Sequence, residues 1–236
     1  MSNPTAVAKL HLNKRSLTLA TPPGILALVI VVSIIIALAL QRAGIDPASE
    51  DYISGFRNNT GVAGSIIGFL VYLGVQAVAT TFPFGMSLGT TRRAYTAGTC
   101  VYFVLQSAYV AVISAALLIL EKATNHWFVH AYAMDSALLG DGNPLKLAAI
   151  MFVFTLTGMS IGGAFGAVFV RAGAKGPLVV GITLVVVLAL LVLVLGPQIG
   201  AFFGSDVMLK LLSVALGIAL LALGGTYLSL RGASVR

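Results

Sequence analysis

Along the chain, apolar positions form long, nearly unbroken runs separated by short polar interruptions. They lack both the period-two alternation of a half-buried strand and the one-sided stripe of a surface helix. The runs extend approximately from Gly24 to Leu40, Val62 to Thr81, Ala94 to Leu120, Leu147 to Val170, Leu178 to Leu195 and Met208 to Leu230. Each lies near the roughly 17–25 residues that an α-helix needs to cross a bilayer. The pattern predicts an all-α, polytopic integral membrane protein of six transmembrane helices. It forms one transmembrane domain over 1–236, with 1–21 a cytoplasmic or interfacial lead and 22–236 the six-helix part. Pro22 and Pro23 suit the entry to the first span, while Pro83, Pro177 and Pro197 fall at or near predicted interruptions.

Composition agrees: 58% of the 236 residues are apolar and 9% charged, against about 45–50% and about 25% in soluble domains. A water-soluble fold is excluded. The single Cys100 cannot form an internal disulfide, and with only three histidines the usual Cys/His zinc patterns are missing.

Six spans put both ends on one side, and the net charge of +7 then divides sharply. Side one holds nine basic residues and no acid: Lys9, Lys14, Arg15, Arg92, Arg93, Arg171, Lys175, Arg231 and Arg236. Side two holds five basic residues, Arg42, Arg57, Lys122, Lys146 and Lys210, with all seven acids, Asp46, Glu50, Asp51, Glu121, Asp135, Asp141 and Asp206. Basic residues gather on the cytoplasmic side, so nine against five predicts a multi-pass protein of the cell membrane with both termini cytoplasmic. Charges dispersed over short loops read as topology and headgroup attraction, and no nucleic-acid partner is expected. Lys9, Lys14 and Arg15 ahead of an apolar run ending in Ala37-Leu38-Ala39 resemble a secretory leader. The run exceeds the usual h-region of about 7–15 residues, so it reads as a retained anchor.

Within the spans no ionisable side chain is expected at depth, which disfavours a proton relay built on an intramembrane carboxylate. Nor are the ligand pairs of a metalloprotease or the base of a serine protease present. His126 and His130 read as interfacial histidines, beside Trp127, Phe128 and Tyr132 of an aromatic belt. Tyr72, Gln76, Gln106, Tyr109, Thr155 and Thr157 are candidates for a substrate path, with interhelical hydrogen bonding as the alternative. Gly158, Gly162 and Gly166 repeat every four residues in the fourth span, and Gly64 and Gly68 offer a second small face in the second; both predict close helix packing, within one subunit or, as the alternative, at a subunit interface.

The least generic stretch separates spans two and three. In Phe84-Gly85-Met86-Ser87-Leu88-Gly89-Thr90-Thr91-Arg92-Arg93, Pro83 just before discourages continuation of the helix, the glycines permit turns, and Thr90 or Thr91 can cap the next helix. Phe84 and Leu88, four apart, share a face of a short helix. An apolar knob above a pair of arginines is the expectation, suited to a groove in a soluble partner.

These residues, with the aromatic Tyr95 after the arginines, resemble the membrane subunits of type-2 ATP-binding-cassette transporters, which carry a similar Gly-x-Ser/Thr-Arg-Arg-x-aromatic turn after their second span. The resemblance implies a permease subunit of an exporter. Phe84 to Arg93 would be the coupling helix on the ATPase, with Arg171 and Lys175 a smaller second contact. It places an interfacial helix before Pro22, around Leu10, Leu12, Lys14 and Arg15, although this segment is short and lacks acids. It also places an outer re-entrant piece at Gly196-Pro197 through Gly204. No phosphate-binding Gly-rich loop ending in Lys-Ser/Thr occurs, so this chain is expected to bind no cofactor and perform no covalent chemistry. ATP and magnesium belong to a separate ATPase subunit, and six spans call for a second membrane subunit, identical or closely related. Competing expectations are a lipid-acting membrane enzyme using Asp135, Asp141, His126 or His130 at the outer face, and a non-transporting scaffold or immunity protein.

Overall fold

The computed structural model describes residues 3–59, 61–203 and 207–233. Asp206, Gly204 and Arg236 lie outside the described residues. Helices run over Pro4–Leu12 (α1), Thr21–Arg42 (α2), Glu50–Arg57 (α3), Gly61–Ala79 (α4), Thr81–Ser87 (α5), Arg92–Ala123 (α6), Pro144–Ala172 (α7), Lys175–Phe203 (α8) and Val207–Arg231 (α9). No strand occurs among the described residues. Six helices, α2, α4, α6, α7, α8 and α9, carry the stretches long and apolar enough to span a membrane. The chain is an all-α, multi-pass membrane protein.

Local chemistry sets the ends. Pro22 and Pro23 occupy the first turn of α2, where their missing N–H groups cost nothing. Ser49 caps α3 by accepting from the Tyr52 N–H at 3.4 Å, and Asn143 caps α7 by accepting from the Leu145 and Lys146 amides at 2.9 and 3.2 Å. Pro83 lacks the N–H that would have bonded the carbonyl of Ala79, and Ala79 is the last residue of α4. The segment before Pro22 is ordered as α1 followed by a π-helical turn over Ser16–Ala20.

Pro197 departs from expectation. It lies inside α8, so Gly196 and Pro197 are helical and no re-entrant piece begins there. One missing backbone bond is a smaller penalty than the several unpaired groups of irregular backbone facing lipid.

Contacts divide the chain into two compact units: Met1–His11, Val71–Val101 and Thr157–Arg236 form one, Leu12–Leu70 and Tyr102–Leu156 the other. The first is centred on Val7, Val78, Phe82, Tyr95, Ala167, Leu230 and Ala233. There α4 and α7 meet backbone to backbone. A Cβ at Gly162 would stand 2.0 Å from the Val71 carbonyl oxygen, one at Gly166 2.9 Å from that of Val75, and one at Gly74 2.2 Å from that of Met159. Gly162 and Gly166 therefore act as the spacing predicts, and Gly158 is buried beside them. Gly64 and Gly68 are exposed within the chain, with open space where a Cβ would project, so they take no part in its internal packing. α8 stands apart, with none of its most apolar stretch buried within the chain.

In the second unit, Tyr52 and Phe56 of α3 pack with Ala37 and Ala131. Glu121, at the end of α6, is wholly buried. Its carboxylate accepts from the Met134 and Asp135 amides at 2.7 and 3.1 Å and from the Trp127 indole at 2.9 Å.

Replacing Gly162 with Ala should lower stability by about 1–3 kcal/mol, since backbone cannot yield as a side chain can. Gly68→Ala should stay within about 0.5 kcal/mol of the parent. Thermal unfolding of both variants in detergent checks the contrast, and equal losses would refute the close approach.

Candidate functional site

The turn between α4 and α6 is built on one buried aromatic. Tyr95, in the first turns of α6, is fully buried; the Phe82 ring meets it edge-on at 5.1 Å, the His11 ring at 5.7 Å, and its hydroxyl donates to the Ala77 carbonyl near the end of α4. Gly85 lies against the same ring, where a Cβ would come within 2.9 Å of it. Thus α5 is seated on Tyr95 through Phe82 and Gly85, with Met86 packed into the cluster. His11 reaches Thr99 at 3.1 Å, and Gly98 admits α1, leaving Val7 and the Pro4 carbonyl no room for a Cβ.

The opposite face of α5 is open. Phe84 is 53% exposed and Leu88 46%, and Ser87 and Gly89 are exposed with them. The short helix closes with a Schellman arrangement: the Thr90 amide donates to the Gly85 carbonyl at 3.1 Å and the Gly89 amide to that of Met86 at 3.0 Å. Gly89 carries the required left-handed φ of +76°. Thr91, rather than the buried Thr90, caps α6, accepting from the Ala94 amide at 3.2 Å. The knob is therefore a fixed projection, not a slack loop.

Arg92 and Arg93 part company. Arg93 is exposed, whereas Arg92 is half-buried and donates to the carbonyls of Arg231 and Ala233 at the end of α9, the latter at 2.6 Å. Unpaired carbonyls at a helix C-terminus favour such a cation. Arg171 is exposed at the end of α7, its guanidinium 3.6 Å from where a Cβ on Gly232 would stand. Lys175, exposed, opens α8 just after the left-handed Gly173. The start of the third span and the ends of the fourth and sixth thus lie together, as an even count of crossings demands.

The candidate path residues each make local hydrogen bonds or are buried within their own unit. Tyr72 is exposed on α4 and accepts from Gln76 at 3.2 Å, which in turn is bonded by Thr80. Gln106 and Tyr109 donate to the carbonyls of Thr18 and Leu19 at 2.7 and 2.6 Å, securing the π-helical turn. Thr157 donates to the Ala215 carbonyl at 3.0 Å, and Thr155 is buried.

At the other unit's polar cluster, Arg57 bonds both Asp135, at 3.1 Å, and Asp141. His126 lies 3.4 Å from Glu121 and stacks on Tyr132 at 3.9 Å. Burial, then the Asp135 carboxylate, pushes the Tyr132 phenol up. His130 offers its carbonyl to the Tyr52 hydroxyl at 3.2 Å. Asn125, His126, Trp127 and Phe128 form a left-handed turn, φ +50° to +62°. Among the described residues no three His, Cys, Asp or Glu side chains converge to hold a metal. Glu121 was missed by sequence reasoning as an organising residue. Its only signal was an acid at the end of an apolar run with an indole six positions on.

Comparisons with protein-family models, curated proteins and solved structures returned no match to this chain.

Two substitutions test the local constructions. Gly89→Val should loosen the turn by about 1–2 kcal/mol and expose Arg92 and Arg93 to trypsin several-fold faster, with Gly89→Asn nearer the parent. Glu121→Ala should leave buried donors unsatisfied at about 1–3 kcal/mol, read as faster hydrogen exchange at Met134 and Asp135. Unchanged rates in either variant would contradict the corresponding construction.

Proposed function

We propose that this chain is the permease subunit of an ATP-binding-cassette exporter, energised by a separate ATPase through α5. The observation that carries the reading is the pairing of Phe84 and Leu88 on the open face of a seven-residue helix whose other face is locked on Tyr95. An anchor of this kind suits a hydrophobic groove, where one or two buried aliphatic and aromatic side chains supply most of the binding energy. The resemblance of Phe84 to Tyr95 to the coupling turn of type-2 transporters supports the same role.

Force applied to α5 passes into α4 and α6 without slack, because Phe82, Gly85 and the Tyr95 hydroxyl join all three. ATP and magnesium are handled in the partner, and this chain contributes the moving helices. Movement between access states requires contacts that differ between them, and the knob is the surface on which a partner's closure would act differentially. Arg171 and Lys175 serve as the lesser contact, and a second membrane subunit, identical or closely related, completes the twelve spans. Both termini are cytoplasmic in this reading, in the cell membrane, following the basic residues.

Replacing Phe84 and Leu88 together with Asp should abolish copurification of the ATPase and ATP-dependent transport, while the chain reaches the membrane in normal amount. Single Ala variants should each weaken association by about 2 kcal/mol. Undiminished association of the double variant would end the assignment, as would labelling of a Cys at position 88 from the outer side of intact cells.

A further inference from the structure

A second feature lies beside the knob, and it does not depend on any ATPase. Thr91, Arg92, Arg93 and Thr96 at the start of α6 and Tyr227 and Arg231 at the end of α9 line a cavity of about 400 Å³, within the range of small-ligand sites. Its lining carries three guanidinium groups, and Arg171 lies close by, against Gly232. No described acid belongs to this unit. Asp46, Glu50, Asp51, Glu121, Asp135 and Asp141 all fall in the other, and Asp206 is outside the described residues.

The hydrogen-bonding inventory is mostly of donors; Thr96 is the exception, its hydroxyl donating to the Arg92 carbonyl at 3.0 Å. Two of the Arg92 donors are engaged by the carbonyls of Arg231 and Ala233, which fixes its plane and leaves further N–H groups. Thr91 accepts from the Ala94 amide, so its O–H stays available to donate, and Tyr227 adds a phenol. A lining of donors and fixed positive charge calls for an anion rich in acceptor oxygens. Guanidinium forks match phosphate in this respect. The cavity sits where two membrane-length helices begin and end, and basic pockets between helix ends are known to take anionic headgroups.

We propose that this cavity is a phosphate site, occupied by the headgroup of an anionic phospholipid. Choline and ethanolamine headgroups carry a cation that the arginines repel, so the selected lipid bears net negative charge. Bound there, the phosphate joins the beginning of α6 to the end of α9 and neutralises a cluster that would otherwise repel itself.

The full-length chain, purified in neutral detergent, is titrated with phosphatidylglycerol or phosphatidylcholine, with retained lipid read by native mass spectrometry and thermal stability in parallel. Phosphatidylglycerol should bind and stabilise, and phosphatidylcholine should not. Arg93→Gln with Arg231→Gln should weaken phosphatidylglycerol binding by roughly fivefold per arginine. Lys9→Gln with Lys14→Gln, the same charge change at exposed positions on other elements, should shift it less than about twofold. Tyr227→Phe, which keeps charge and bulk, should weaken it measurably and guards against a folding defect in the arginine pair. Inorganic phosphate at matched ionic strength forms the second arm: stabilisation equal to that by phosphatidylglycerol would keep the phosphate site but assign it to the free anion. Equal weakening by the arginine and lysine pairs, or equal binding of the two lipids, would reduce the cavity to general surface charge and overturn the proposal. Loss of ATPase association in the arginine pair with lipid binding unchanged would give these residues to a protein contact and overturn it as well.

Discussion

Hydrocarbon offers a peptide group nothing to bond with, and that single deficit accounts for most of what the polar side chains of this protein do. Helices satisfy their own interiors, so the unmet groups collect where helices stop. There the chain supplies side chains from elsewhere: Arg92 to the end of α9, Tyr95 to Ala77, Gln106 and Tyr109 to the π-helical turn, Gln41 to Val129, Lys122 to Gly142. Each is a side-chain donor on a backbone carbonyl. Glu121 does the converse for a stretch of amides.

The same deficit explains what could and could not be read from the residues. Spans were legible because lipid demands an unbroken apolar run, and their order follows from the runs alone. The short helix around Pro83 was legible too, since proline, glycine and an i, i+4 pair of apolar side chains each restrict the backbone locally, although it starts at Thr81, ahead of the proline. What escaped was whatever depends on which face of a helix meets which neighbour. Gly64-xxx-Gly68 and Gly158-xxx-Gly162 look equivalent on paper, yet within this chain only the second lies on a packed face, and Gly74 and Gly98, outside any repeat, make contacts nearly as close as Gly162 does. Gln106 and Tyr109 stood between two readings, a lined route and interhelical hydrogen bonding, because side-chain polarity is visible in a sequence while the carbonyl 90 residues away that Tyr109 bonds is not. Pro197 was read as a break because its rule comes from water, where a lost helix bond is readily replaced by solvent.

Around α5 these two kinds of information meet. Local signals define a short helix, and tertiary packing decides that Phe82 is hidden while Phe84 is shown. The coupling role proposed for α5 needs both properties, a face to be gripped and a face that cannot give way. The ring of Tyr95 supplies the second by touching three elements at once. Beside it the arginines divide their work, Arg92 holding a helix end and Arg93 facing outward, so adjacent identical residues play unlike parts.

α8 carries a different lesson. A span of Val and Leu whose most apolar stretch is wholly unburied shows a greasy profile along nearly its whole length; it meets α7 at Gly176 and Gly181, and its Phe202 carbonyl accepts from Lys210. Where α4 and α7 are interlocked backbone to backbone, α8 turns its length outward: a column of aliphatic side chains of this kind is wetted only by lipid tails or by another apolar surface.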